Sequence, residues 1–458
     1  LTAAFVPTFS ETLVQEGEER ARELANLCFT LLTLLVAAIT LLGIVCSPYI
    51  VKLMFPGFSA VPGKFELTVL LNRVMFPYIF FISLVALCMG ILNTLRHFFT
   101  PAISTVFLNL AMIVSALALR PFFRYPITAL AVGVLLGGSV QLMLQLPVLW
   151  KKGFPLRPRL HFNDPKLRKI ALLMLPATLG VGIYYLNITV GNILASLLPQ
   201  GSVSYLYYAQ RLFEFPQGVF TVSVAQAVLP TMSRQAAEGD LTAMKDSVSY
   251  GVRLTLFITI PAMAGLAVCA EPLMTLIFMG GRFDYHMARE SARALLYYSA
   301  GLSCVALVRV LAPAFYALQD TRTPVITAAI AFLLNLGFSL WLMGPLLHGG
   351  LALASSLAAL GNMLLLFWLL RRKIGLLGGR KMLRTAFVSV VASLPMGLVV
   401  WGLCGLYDWS LSGHKLIKAG VVAAAVAVAV VVYLVVSHLF RSEEADEFLV
   451  ILRRKFRR

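Results

Sequence analysis

Arg211 and Glu214 stand three residues apart in the string YYAQRLFEFPQG, inside an otherwise apolar run. On a helix that spacing puts both on one face. The pair can neutralise itself, or it can offer a cation to an anionic ligand. Gln210 precedes it as a neutral hydrogen-bonding group. Arg309, in VALVRVLAPAFYALQD, has no acidic residue within a helical turn. A charge held mid-membrane costs roughly 2.5–3.5 kcal/mol on insertion scales and faces a cavity or a partner. Arg309 is therefore expected to face a cavity. Arg253 and Arg73 lie nearer the ends of their runs. From there they can line the same cavity, or reach an interface through their long stems. Arg211, Glu214, Arg309, Gln210, Arg253 and Arg73 together suit a large anion such as a diphosphate.

A second group is uncharged. Asn335 and Ser339, at i,i+4, share a helix face, and Ser355, Asn187 and Asn192 are further polar positions in apolar runs. Together they could bind a cation through neutral oxygens. The competing reading is hydrogen bonding between helices. Enzyme chemistry has little to stand on. The sequence has no GxSxG, no P-loop, no HExxH and no acidic cluster that would hold a metal on a diphosphate. The six cysteines all lie in apolar runs without CxxC spacing, which suits packing rather than metal binding. No cofactor is expected.

These residues need a scaffold, and composition says which. Of 458 residues, 59% are hydrophobic and 13% charged, with mean hydropathy +0.86. A soluble domain carries about 25% charged residues, so most of this surface must face lipid. Runs of about 20 apolar residues recur, each long enough to cross the bilayer as a helix. They are continuous rather than alternating, which excludes a barrel. Twelve complete spans are expected, near 26–50, 69–94, 101–119, 127–149, 170–196, 203–232, 249–270, 291–318, 325–343, 350–370, 384–405 and 416–440, after a short helical stub at 1–10.

Net charge is +18. On a soluble chain that would suggest nucleic acid, but here the charge sits in short loops, as a topology signal and a contact for lipid headgroups. Alternate loops differ sharply. One set includes Arg20, Arg22, Arg96, the block from Lys151 to Lys169, Arg322, the block from Arg371 to Arg384, and a tail ending in Arg457 and Arg458. The opposite set has few cations, among them Lys52, Lys64, Arg120, Arg124 and Arg282. The richer set, and with it the C-terminus, belongs in the cytoplasm. Prolines at Pro176, Pro216, Pro261 and Pro313 interrupt spans and can kink them.

The chain also repeats itself. AFVPTFS at 4–10 is similar to AVLPTMS at 227–233, and LRHFFTPAIS at 95–104 to LQDTRTPVIT at 318–327; the offset is 223 in both. FPG at 55–57 and FMG at 278–280 keep it, and so, more weakly, do GGSVQL at 137–142 and LGNMLL at 360–365. One offset held along more than half of the first copy marks a duplication. Equivalent helices run in the same direction, so the repeat is parallel. The expected organisation is an N-terminal lobe at 1–150, a basic cytoplasmic linker at 151–169, a C-terminal lobe at 170–372, two extra helices within 373–440, and a basic tail at 441–458. The second copy begins near Lys169. The first would therefore begin upstream of Leu1, by about one and a half helices. The expected whole is two six-helix lobes plus two helices, fourteen in all.

The strings AFVPTFSE, FPYIFFISLVALCMGILNT, GSVSYLYYAQRLFEFPQGVF, VLPTMS and VLAPAFYALQDTRTPV resemble the MurJ/MviN family of lipid II flippases, over essentially the whole chain. That family belongs to the multidrug/oligosaccharidyl-lipid/polysaccharide exporter superfamily. The resemblance implies two lobes around a cationic cavity and a lipid-facing groove made by the last two helices. It also implies alternating access that carries lipid II from the inner to the outer leaflet of the bacterial inner membrane, driven by membrane potential or by a Na+ or H+ gradient. It places the family's cavity arginine at Arg211, its neighbouring glutamate at Glu214 and a further basic residue at Arg309. Gln210 stands where some members carry Asp. Asn335, Ser339 and Ser355 fall where some members bind sodium, although the Ser339 helix has no carboxylate. The family's arginines in its first two helices fall outside this chain. The expected partners are lipid II and membrane lipids, with no nucleic acid, and the protein is expected to act as a monomer. Two other readings compete. A drug–cation antiporter, or an exporter of another lipid-linked sugar, shares the fold, but the antiporter would need a buried carboxylate. A membrane glycosyltransferase would need Asp284 or Asp408 as a catalytic acid.

Overall fold

The computed structural model describes residues 2–159 and 164–447, except for the side chains of 2–4, of several residues within 173–184, and of 222 and 227. The described residues form helices and turns, with one isolated bridge between Gly280 and Phe283. The chain divides into two compact units, Leu1–Thr189 and Val190–Arg458.

The first unit holds α1 (Thr2–Gln15), α2 (Gly17–Val45), α3 (Ser47–Met54), α4 (Lys64–Met75), α5 (Tyr78–Thr94), α6 (Phe99–Ala118) and α7 (Ile127–Lys151), with most of α8 (Pro165–Ser196). Its core is built from Phe5, Phe9, Leu24, Ile91, Leu149 and Phe154. Leu167 and Ile170 join that core, so the start of α8 packs with the first unit. The contact boundary therefore falls inside α8 rather than at residue 170.

The second unit holds α9 (Ser202–Pro216), α10 (Val222–Ala237), α11 (Leu241–Val268), α12 (Ala270–Ile277), α13 (Tyr285–Ser299), α14 (Leu302–Ala317), α15 (Arg322–Leu346), α16 (His348–Ile374), α17 (Gly379–Gly405) and α18 (Lys415–Leu439).

Ten helices, some of them continuous pairs, are long and apolar enough to cross a membrane among the described residues. An eleventh is the pair α13 and α14, bent by 44°. These eleven match eleven of the twelve expected spans. The twelfth, 170–196, falls on α8, where several side chains, Pro176 among them, lie outside the described residues. Residues such as Leu41, Val45, Leu398 and Trp401 are exposed on these helices. Apolar surface on that scale belongs against lipid. The chain is a multi-pass membrane protein.

The 223-residue offset runs through the helix bounds and their caps. α3 and α12, and α6 and α15, start at positions that differ by 223. The turns after α5 and α14 are near copies. Arg96 and Gln319 both take left-handed backbone, at φ 56° and 58°. His97 donates its amide to Leu92 at 2.8 Å, and Asp320 donates to Phe315 at 2.9 Å. This six-to-one bond closes a helix end, usually around glycine; here both copies use a residue with a Cβ.

The basic linker is pinned to α2. The amides of Arg157 and Arg159 donate to the side chains of Asn26 (2.8 Å) and Thr30 (2.7 Å), one turn apart on α2. Arg159 also pairs with Glu23, Arg20 with Asp164, and Lys169 with Glu11.

The α15–α16 turn depends on a glycine. A Cβ on Gly350 would sit 2.2 Å from the Leu342 carbonyl oxygen, which is backbone and cannot rotate away. Gly350→Ala is expected to lower stability by about 1–3 kcal/mol. Gly344→Ala, whose Cβ would meet nothing within 4 Å, should be neutral or stabilising. Thermal unfolding of the two purified variants checks this; equal midpoints would refute the steric account.

Candidate substrate-binding residues

α9 carries the polar group that the sequence singles out. Arg211 donates to Glu214 at 2.9 Å, and Gln210 donates to the other oxygen of the same carboxylate at 3.1 Å. The i,i+3 pair therefore forms, and Gln210 shares it. The Arg211 side chain nevertheless stays 56% exposed, with its guanidinium carbon 4.9 Å from the Tyr207 ring centre. Tyr207, Arg211 and Phe215 recur every four residues and are all exposed. They make one stripe of a cation between two aromatic rings.

Pro216 ends the regular helix. Its ring removes one backbone donor, and Gln217–Thr221 continue as a single π-helical turn before α10. Such turns are frequent at functional sites. Here the turn begins at the buried Gln217, whose side-chain oxygen accepts from Arg309 of α14 at 3.3 Å. Arg309 forms no ion pair among the described residues, so its charge is met by a neutral amide. Gln210, Glu214 and Gln217, at i, i+4 and i+7, follow one face of the α9 stretch. The first two belong to the Arg211 pair, and Gln217 meets Arg309.

Pro261 and Pro313 sit inside α11 and α14, which run on as α-helix. Among the described residues only Pro216, of the four prolines, is followed by a change of helix type.

The other candidates have partners of their own. Arg253, which the sequence leaves between a cavity and an interface, is held by the segment after α18. It pairs with Glu443 at 2.6 Å and Glu444 at 3.0 Å, and its side chain is only 14% exposed. Those carboxylates lie about 190 residues away in sequence, beyond the reach of local spacing. Arg73, on α4 in the first unit, donates its Nε to the Ile44 carbonyl at 3.3 Å. There it caps one of the last carbonyls of α2, which have no helical donor. Within the second unit, Arg253 shares no partner with Arg211 or Arg309 among the described residues. In the uncharged set, Ser339 donates to Asn335 at 3.4 Å and Ser355 to the Leu351 carbonyl at 3.1 Å. Both hydroxyls spend their protons within their own helices, leaving oxygen lone pairs as the groups available to a cation.

The sequence reading did not single out Tyr207 or Gln217. Tyr207 is signalled by its place four residues before Arg211. Gln217 is signalled by following a mid-span proline. A charged cavity of about 720 Å³ near the end of α11, with Glu271, His286, Arg289, Glu290 and Arg293 in its wall, was also missed. Its residues come from two separate stretches of chain, 267–271 and 286–296.

Comparison with known proteins identifies the family. The family model described as lipid II flippase MurJ matches residues 1–420. A probable lipid II flippase MurJ of Vibrio cholerae is 36% identical over 442 residues, covering 93% of this chain and 83% of its own. The lipid II flippase MurJ of Burkholderia cenocepacia is 35% identical over 414 residues, covering 89% and 80%. Among solved structures, a lipid II flippase MurJ in an inward closed conformation superposes with a TM-score of 0.75 at 24% identity, over 96% of this chain and 87% of that one. A multidrug resistance MATE family transporter of the MOP superfamily, in an inward-facing conformation, gives 0.67 at 15% identity, over 82% and 86%. Two such structures speak for the fold, and the sequence relatives and family model speak for descent: the chain belongs to the lipid II flippase MurJ family.

Proposed function

We propose that this protein carries lipid II from the inner to the outer leaflet of the bacterial cytoplasmic membrane by alternating access, without enzymatic chemistry. The observation that carries the reading is the α9 stripe: an exposed arginine, paired with Glu214, between two exposed aromatic rings, on the same stretch of helix as Gln217, which meets a second arginine that has no carboxylate partner among the described residues. Arg211 and Arg309 would receive the diphosphate, and Tyr207 and Phe215 would pack against the apolar or sugar portions beside it. A ligand shifts a two-state equilibrium only by binding one state better. The diphosphate would therefore favour the state in which both arginines reach it. Membrane potential or an ion gradient would reset the cycle, with Asn335, Ser339 and Ser355 as the place for sodium if sodium couples. The loop charges favour a cytoplasmic C-terminus.

The test is a lipid II accessibility assay in cells depleted of their own flippase and expressing this protein. Lipid II should become accessible at the outer face. If it stays inside despite normal expression and membrane insertion, the reading fails.

A further inference from the structure

The segment that holds Arg253 also forms part of a small cavity. Arg253 of α11, Lys381 and Arg384 of α17, and Arg441 after α18 line it together with Glu443 and Glu444, and its volume is about 30 Å³. Four cations face two carboxylates. Glu444 is buried, pairs with Arg253 at 3.0 Å, and accepts from Thr385 (3.0 Å) and Ser442 (2.9 Å). Among the described residues Glu443 accepts from Arg253 alone, at 2.6 Å, and is 60% exposed. Lys381, Arg384 and Arg441 form no ion pair among the described residues. Two of them occupy a costly position. Lys381 and Arg384 lie in the first two turns of α17, which has no acidic residue in its first turn, and a helix N-terminus is itself positive. Arg253 adds a buried Nε without a hydrogen-bond partner among the described residues. Clustered cations at a helix start, next to an unfilled guanidinium donor, are arranged for an anion.

We propose that this cavity is the seat of a phosphate group, from a lipid headgroup or from solution, and that Glu443 occupies the seat when phosphate is absent. With Glu443 in place the cavity has room for little more than a water molecule, so the phosphate must displace that carboxylate. The rest of the segment can stay put. Arg441 turns the chain in left-handed backbone at φ 54°, Ser442 donates its amide to Ser437 at 3.0 Å, and Glu444 anchors beneath. The arginines suit a tetrahedral oxyanion because the guanidinium fork binds two of its oxygens at once.

The test uses the full chain in phosphatidylcholine nanodiscs doped with phosphatidylglycerol, with a parallel titration of inorganic phosphate in detergent. Lys381→Gln with Arg384→Gln should weaken phosphatidylglycerol binding about 30-fold, at about fivefold per cation. Lys151→Gln with Lys152→Gln, an equal charge loss at exposed positions ending α7, should change it much less. Glu443→Gln should tighten binding severalfold, because the competing carboxylate is gone. Displacement of the lipid by inorganic phosphate supports the shared phosphate chemistry. Binding of inorganic phosphate without phosphatidylglycerol also supports the seat, and assigns it to a soluble source. Equal losses in the two double variants, or a Glu443→Gln protein that binds no better than wild type, overturns the proposal.

Discussion

Arg211→Ala is expected to abolish rescue of a flippase-depleted strain while the protein accumulates and inserts normally. The two halves of that expectation have separate causes. The Arg211–Glu214 pair is exposed on both sides, and exposed pairs contribute about 0–1 kcal/mol, so folding should not notice its loss. Substrate binding should. A hydrogen bond to a charged group contributes about 1.5–3 kcal/mol, and a bidentate grip on a diphosphate uses two. Loss of both predicts a drop of at least 100-fold in affinity. Glu214→Gln separates the substrate role from simple neutralisation. If Arg211 serves only to neutralise Glu214, then Glu214→Gln with Arg211→Ala should restore growth, since neither charge then remains. If Arg211 grips substrate, the double variant stays dead and Glu214→Gln alone keeps activity. Arg211→Lys should fall between, retaining charge but losing the planar fork and its stacking on Tyr207. Full growth of Arg211→Ala at normal expression would remove Arg211 from the substrate site.

Arg211, Glu214 and Arg309 could be read from the chain because the cost of a charge in an apolar run is local and large. The helices were readable for the same reason: length and apolarity decide a span without reference to its neighbours. The turns at Arg96 and Gln319 were half readable. The repeat equates LRHFFTP with LQDTRTP, but nothing in Arg or Gln announces left-handed backbone, which glycine favours. What stayed hidden depends on pairing at a distance. Arg253 looks like a cavity or interface cation until Glu443 and Glu444 fold back onto it. The stretch 151–169 looks like a loose basic linker until Asn26 and Thr30, unremarkable polar residues at i,i+4, take the amides of Arg157 and Arg159. Gln217 needed the π-helical turn behind Pro216 to become a partner of Arg309. Local spacing specifies which residues share a helix face, and only packing decides what that face meets.

Asp164→Ala is expected to destabilise the first unit by about 3 kcal/mol, the sum of two losses. Asp164 is the residue before α8, and its Oδ1 accepts the amides of Lys166 (2.8 Å) and Leu167 (3.2 Å). With Pro165 next, this is a helix start built from a capping acid and a proline at the first position. The cap is worth about 1 kcal/mol. The second loss is the charge-assisted bond from Arg20 to Oδ2 at 2.5 Å, with the carboxylate only 2% exposed. Arg20 keeps Glu23 at 2.6 Å, so it is not left as an uncompensated charge, and the loss stays below that of a fully orphaned ion. A loss of 3 kcal/mol corresponds to about 6–12 °C in midpoint for a unit of this size. Asp164→Asn keeps an acceptor for the cap and should lose about half as much. The pH dependence has a definite sign. Burial alone would raise the Asp164 pKa; the Leu167 and Lys166 amides and Arg20 outweigh it and hold the carboxyl below its ordinary value of 3.8. A carboxyl depressed by folding adds stability at pH values above its unfolded pKa, and that stability is lost as pH falls through the folded value. The difference between wild type and Asp164→Asn should therefore be full at neutral pH and shrink below about pH 4. Thermal unfolding of both proteins from pH 7 to 3 measures it. A difference that is absent at pH 7, or that grows on acidification, would show that Asp164 does not hold the linker to α2 through its charge.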